Sequence, residues 1–268
     1  MKDKKRHIIR IIIFVILAGV IAFPSIRAEM NKISHKSLID KVQEQALSGN
    51  IMIMTESRKS DGTSYSPSGS GVIFDQIGDK YFALTAHHVI AEAATSVDAA
   101  LRVLTYDALT INDFMKSSQY TGLSTYYEQV SAGTIEYYNE QYDLAVISFD
   151  SADLCSVIPI SNTEPKYGDV VVTISNPEGE RNAISAGKII SRKEKLFKFK
   201  GEHIQYPVIK HSAVISEGSS GSAVLNEDLE IIAINLGGNV NLLRQHIKGV
   251  AMPLDRIKTF LNEWEENK

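Results

Sequence analysis

A succession of short β-rich runs divided by turn residues constrains this chain more than any other feature. The runs read "IMIMT", "GVIFD", "YFALTA", "LRVLTY", "LAVISF", "VVVTIS", "AGKIIS", "HIQYPVI", "SAVLN", "EIIAINL" and "GVAMP". Between them lie stretches such as "DGTSYSPSGSG", "SNPEGE" and "LGGN". β-Branched and aromatic residues suit a pleated, half-buried surface, and Gly, Asn, Asp and Pro supply turn conformations. The pattern therefore predicts an all-β barrel or sandwich. One clear helix is expected over residues 255–266, "DRIKTFLNEWEE". Asp255 can cap it, and Ile257, Phe260, Leu261 and Trp264 form one apolar stripe. A helical tether is expected over residues 29–49, where Leu38, Ile39, Val42, Ala46 and Leu47 fall at helical spacing and Gly49 can end the helix.

The chain opens with the basic "MKDKKRHIIR" and the apolar "IIIFVILAGVIAF", broken by Pro24 and Ser25. That run is short for a bilayer span of about 20 residues and suits the apolar stretch of an export signal. Residues 1–28 are thus expected to be a signal peptide, with Ala28 available for cleavage, or a membrane anchor through residues 8–24. Either places the remainder outside the cytoplasm, secreted or tethered. A net charge of −4 with no dominant basic stripe argues against nucleic-acid binding. The basic "RKEKLFKFK", Arg192 to Lys200, reads as a solvated hairpin. Cys155 is the only cysteine, so the fold must stand without an internal disulfide.

Three stretches carry the chemistry of serine acyl transfer, which needs a nucleophile, a base, an acid to orient that base, and N–H groups for the oxyanion. "FALTAHHVIAEA" places His87 and His88 where an apolar strand turns into a short helix. "NEQYDLAVISFD" places Asp143 at the head of a strand. "ISEGSSGSAVLN" places Ser219 and Ser220 between apolar runs, with Gly218 and Gly221 permitting a tight turn. The order His, Asp, Ser and the absence of a βαβ texture argue against an α/β-hydrolase arrangement. No His-Glu-x-x-His or Cys/His spacing for a metal occurs, and neither metal nor cofactor is expected.

These stretches resemble the chymotrypsin-like serine peptidases, in particular their bacterial branches. "LTAHHV" is similar to the family's T-A-x-H motif and singles out His88. "YDLAVISFD" resembles D-(I/L)-A-(L/V) and selects Asp143. "GSSGSAVLN" resembles G-(N/D)-S-G-(G/S)-(P/A) and selects Ser220. "GSGVIFD", "YGDVVVTISNPEG", "ISAGKIIS" and "GVAMPLDRI" look like strands of HtrA-type protease domains, and "IAINLGGNV" like the substrate-lining strand of V8-like glutamyl endopeptidases. The resemblance covers the chain from about Ile51 onward. It implies a peptidase domain over 50–268, made of two six-stranded antiparallel β-barrels at about 50–155 and 165–254 and the terminal helix. Catalysis would fall to His88, Asp143 and Ser220, with the N–H groups of Gly218 and Ser220 as oxyanion hole.

Three departures from the family pattern shape the expected specificity and control. Ser219 stands where Asp or Asn is usual, which removes the charge used by trypsin-type activation. Asn235 stands where glutamyl-specific relatives carry histidine. No PDZ domain is expected after the terminal helix. The resemblance puts Val214 at the base of the specificity pocket and Asn235, Leu236 and Gly237 on its wall. No acid is placed there to meet Lys or Arg, so the expected polypeptide substrate carries a small or medium apolar residue before the scissile bond. A non-catalytic peptide-binding module on the same fold is the competing reading, and Ser219 is its only support.

Overall fold

The computed structural model describes residues 35–268, apart from 118, 120, 192, 194–197, 200, 201, 204, 205 and 241–245. The expected signal or anchor (1–28) and most of the basic run lie outside the described residues. Among the described residues, no helix is long and apolar enough to cross a membrane.

Helix α1 (Lys36–Gln45) buries Leu38 and Val42 on the body. It leads into β1 (Asn50–Lys59), β2 (Gly62–Ile77) and β3 (Lys80–Thr85), then α2 (His87–Thr95) and β4 (Ala99–Leu104). The short helices α3 (Ile111–Phe114) and α4 (Leu123–Tyr127) precede β5 (Ser131–Asn139) and β6 (Leu144–Asp150). These strands close an antiparallel barrel in the order β1-β2-β3-β6-β5-β4. Strand alternation sends Ile51 and Ile53 of β1 into the main core. Met52 and Met54 point outward, to a second cluster with Leu104, Phe114, Tyr126 and Tyr127. The β4–β5 connection thus covers the outer face of β1, which is why that strand reads as a continuous apolar run rather than an alternating one.

The second half begins with β7 (Val170–Ser175) and β8 (Ala183–Lys188), followed by a small hairpin of β9 (Lys198–Phe199) and β10 (Glu202–His203). After it come β11 (Ile209–His211), β12 (Ala223–Leu225), β13 (Ile231–Val240) and β14 (His246–Pro253). The six larger strands form one antiparallel sheet in the order β11-β14-β13-β12-β7-β8, and a bridge between Ile189 and His211 brings its two edges together. Gly187 is required at that seam: a Cβ there would lie 2.2 Å from the Ala213 nitrogen. The fold is therefore two six-stranded antiparallel barrel-like sheets, as the sequence implies.

Helix α5 (Leu254–Glu266) ends the chain and buries Ile257, Phe260 and Trp264. Pro253 rather than Asp255 occupies its N-cap; Asp255 lies inside the first turn, where a carboxylate suits the positive end of the helix. Although α5 follows the second barrel, its aromatic stripe packs on the first. The Trp264 ring is 5.7 Å from Phe74 and 5.5 Å from Phe82, and Phe260 is 5.3 Å from Tyr137. It straps one half to the other.

Candidate active site

His88 and Asp143 meet on the first barrel. His88 sits in the first turn of α2, directly after β3, and Asp143 in the turn between β5 and β6. The backbone N–H of His88 donates to Asp143 Oδ1 (2.9 Å), and its Nδ1 lies 2.7 Å from Oδ2. The carboxylate is almost fully buried at 1% exposure, against 14% for the imidazole. Asp143 holds a positive φ of 50°, a conformation Asp tolerates better than most residues. Two bonds to one residue fix both the position and the tautomer of the ring, because Nδ1 must carry the proton it gives to the carboxylate. His87 points elsewhere, stacked on Tyr138 with ring centroids 4.9 Å apart.

Ser219 and Ser220 are equally adjacent in sequence and opposite in environment. Ser219 is fully buried. Its hydroxyl donates to Ser175 Oγ (3.1 Å) and accepts from Ser216 N–H (3.2 Å). Ser220 is partly exposed, and its hydroxyl donates to the Leu236 carbonyl (3.2 Å). The two flanking glycines adopt φ of +91° (Gly218) and +84° (Gly221). Space forbids side chains as well: a Cβ on Gly218 would lie 2.5 Å from Asn176 O, and one on Gly221 2.2 Å from both Ser70 O and Thr85 Oγ1.

Carbonyl contacts set the direction of the turn's N–H groups. Glu217 O accepts from Glu178 N–H (2.7 Å), and Ser219 O accepts from the Ser222 hydroxyl (2.7 Å). In a trans peptide the N–H points opposite to the C=O. The N–H groups of Gly218 and Ser220 therefore point away from Glu178 and Ser222, respectively.

The four residues expected to line the specificity pocket divide into two groups. Val214 borders a pocket of about 180 Å³ completed by Ala183–Ala186, Ser175 and Ser219. Asn235, Leu236 and Gly237 do not line that pocket; they run along β13 against the turn. Asn235 accepts at Oδ1 across 2.7 Å from His211 Nε2 and donates to Ser222 Oγ (2.9 Å), with its side chain wholly buried. Its amide is thus committed to an internal network rather than turned to a wall.

Several residues that position the site carry no local motif. Ser70 donates its backbone N–H to Ser220 O and its hydroxyl to Gly218 O, each 2.8 Å, tying the first barrel to the turn. Asn176 donates to Ser70 Oγ and Ile51 O and accepts from Asn50. Tyr142, beside Asp143, donates to Glu263 Oε1 of α5 (2.6 Å), and that bond pushes its phenol up to about 12. A Ser or Asn in a turn stretch is the only sequence sign of the first two, and such residues usually serve the turn alone.

Two six-stranded antiparallel barrels with a His–Asp pair on one and an accessible serine turn on the other define a chymotrypsin-like serine peptidase. The chain matches the trypsin-like peptidase domain family over residues 69–234 and belongs to it. Among curated relatives, it is 25% identical to the serine protease Do-like HtrA of Bacillus subtilis over 226 residues, covering 82% of this chain and 44% of that protein. It is 27% identical to the protein of the same name from Lactococcus lactis subsp. cremoris over 183 residues, 66% of this chain and 39% of the relative. The serine protease HTR4 of Bos taurus is 29% identical over 138 residues, 50% of this chain and 27% of that protein. The chain spans less than half the length of each.

Proposed function

We propose that this chain is an exported or membrane-tethered serine endopeptidase that hydrolyses polypeptides through an acyl-enzyme on Ser220. The observation that carries the reading is the doubly bonded His88–Asp143 pair, together with a serine turn whose Glu217 and Ser219 carbonyls are held by Glu178 and Ser222. Ser220 Oγ leaves the Leu236 carbonyl and attacks the substrate carbonyl carbon while His88 Nε2 takes its proton. Asp143 stabilises the imidazolium that results, and the N–H groups of Gly218 and Ser220 stabilise the oxyanion. As the C–N bond breaks, the departing amine takes the proton from His88. Water then attacks the ester with His88 again as base, releasing the acid and restoring Ser220.

The HtrA-type names of the relatives support proteolysis of polypeptides, and the basic-then-apolar N-terminus supports export or tethering. Residues 50–268 form the peptidase domain in this reading. A fully buried Ser219 suits a structural role: its neutral hydroxyl bridges Ser216 and Ser175 where trypsin-type enzymes place a charge. The apolar surroundings of Val214 favour a small or medium apolar residue before the scissile bond.

Labelling by a fluorophosphonate probe tests the assignment. Wild type and Ser219→Ala are expected to label and Ser220→Ala to remain unlabelled. Labelling that survives in Ser220→Ala removes the nucleophile, and a folded but unlabelled wild type supports a peptide-binding module instead.

A further inference from the structure

The β4–β5 connection does more than cover the first barrel. Between it and the β7–β8 loop lies an open cavity of about 890 Å³. Its floor is apolar: Met52, Met54, Leu104, Tyr126 and Tyr127. Arg181 braces its walls, donating from Nη2 to the carbonyls of Ala108 (2.8 Å) and Tyr106 (3.2 Å), so the cavity is formed before anything enters it.

The mouth of the cavity is bounded by the two segments that touch the serine turn. Pro67 stands two residues before Gly69, where a Cβ would lie 2.8 Å from Ser220 O. Gly179 lies opposite Pro67 and follows Glu178, whose N–H holds Glu217 O. Leu236, by contrast, meets Ser220 from β13. The cavity and β13 therefore reach the serine turn through different segments of the chain.

We propose that this cavity is a subsite for the departing side of the polypeptide substrate, taking a large apolar or aromatic side chain beyond the scissile bond. The inference rests on the peptidase reading. Methionine and tyrosine make the floor suited to such a guest, since thioethers adapt to irregular shapes and pack favourably on aromatic rings. The cavity volume falls in the range of roughly 300–1,000 Å³ usual for ligand sites.

The test uses the full chain and the partition of its acyl-enzyme. A small activated ester of a blocked apolar amino acid supplies the acyl group. Added tripeptide amides compete with water for it, and the ratio of aminolysis to hydrolysis reads the departing-side site alone. Amides with Leu or Phe at one position are expected to be about tenfold better acceptors than triglycine amide. Ala108→Trp, which fills the cavity, is expected to erase that preference. Leu109→Ala, at a rim side chain 59% exposed, is expected to lower it about threefold and decides the matter if Ala108→Trp does not fold. Ester turnover with equal use of all amides in wild type, or a preference unchanged in both variants, overturns the subsite. Absence of ester turnover in folded wild type overturns the peptidase reading and the subsite with it.

Discussion

Replacing Asp143 with Asn tests the site most directly, because it keeps the shape and removes the charge. The two bonds to His88 have different fates. Asn Oδ1 can still accept the backbone N–H at 2.9 Å, but its amide nitrogen, placed where Oδ2 lies 2.7 Å from Nδ1, is a donor. The imidazole must then present Nδ1 as acceptor and carry its proton on Nε2, the atom that has to receive the proton of Ser220. The base is lost through its tautomer. The imidazolium also loses its counter-charge: two unit charges about 3–4 Å apart at an effective dielectric near 20 attract by roughly 4–6 kcal/mol. A loss of about ten-thousandfold in kcat, known for such a change in a Ser-His-Asp triad, corresponds to about 5.5 kcal/mol, so the two figures agree in scale. The assay is kcat/KM on an activated ester near pH 7.5, with circular dichroism and Tm on the same samples. A folded Asp143→Asn protein that retains more than a tenth of wild-type kcat refutes the assignment of Asp143 as the orienting acid.

Other predictions address the supports of the site. Ser219→Ala removes the bonds to Ser216 and Ser175 and should cost about 1 kcal/mol of stability by urea denaturation, with fluorophosphonate labelling retained; loss of labelling would make Ser219 more than a brace. Tyr142 has its phenol raised from 10 to about 12 by its bond to Glu263. A group raised on folding stabilises fully below its unfolded value and loses that contribution as pH climbs through the folded one. Wild type should therefore lose more Tm between pH 10 and 12 than Tyr142→Phe does; equal losses would mean that the bond does not hold. Burial raises the Glu56 carboxyl, but hydrogen bonds and charges from Arg102 and Arg58 outweigh it, leaving the group below the ordinary carboxylate range. Its contribution is complete above that ordinary value and fades as pH falls through the lowered one, so Glu56→Gln should narrow the Tm gap to wild type on acidification below about pH 4. At neutral pH the same variant should be less stable by about 2 kcal/mol.

The strands and turns were legible because their causes are local. Period-two burial, β-branched content and glycine turns act within a few residues of each other. The three stretches stand out for the same reason: His88 follows a strand, Asp143 heads one, and Ser220 sits in a glycine-flanked turn just before one. Choosing His88 over His87 needed the motif, since the residue types are identical. The structure supplies the cause: successive residues at the start of a helix diverge by roughly 100°, sending one ring to Asp143 and the other to Tyr138. Expectations that rested on position alone fared less evenly. Asp255, the capping residue the sequence suggests, is the second residue of α5, two positions past the Pro253 N-cap. Val214 borders a pocket that β8 helps to line, while Asn235, Leu236 and Gly237 lie along β13.

By itself, the sequence determined that this chain is β-rich, that its final helix is amphipathic, and which three stretches hold His88, Asp143 and Ser220. Each of those is written in neighbours at fixed spacing. Only the tertiary structure decided what holds the serine turn. Ser70 reaches Gly218 across 148 residues and Asn176 across 106. Tyr142 reaches Glu263 across 121. Contacts so distant along the chain leave no periodicity to read, because they depend on how two barrels and a returning helix close on one another.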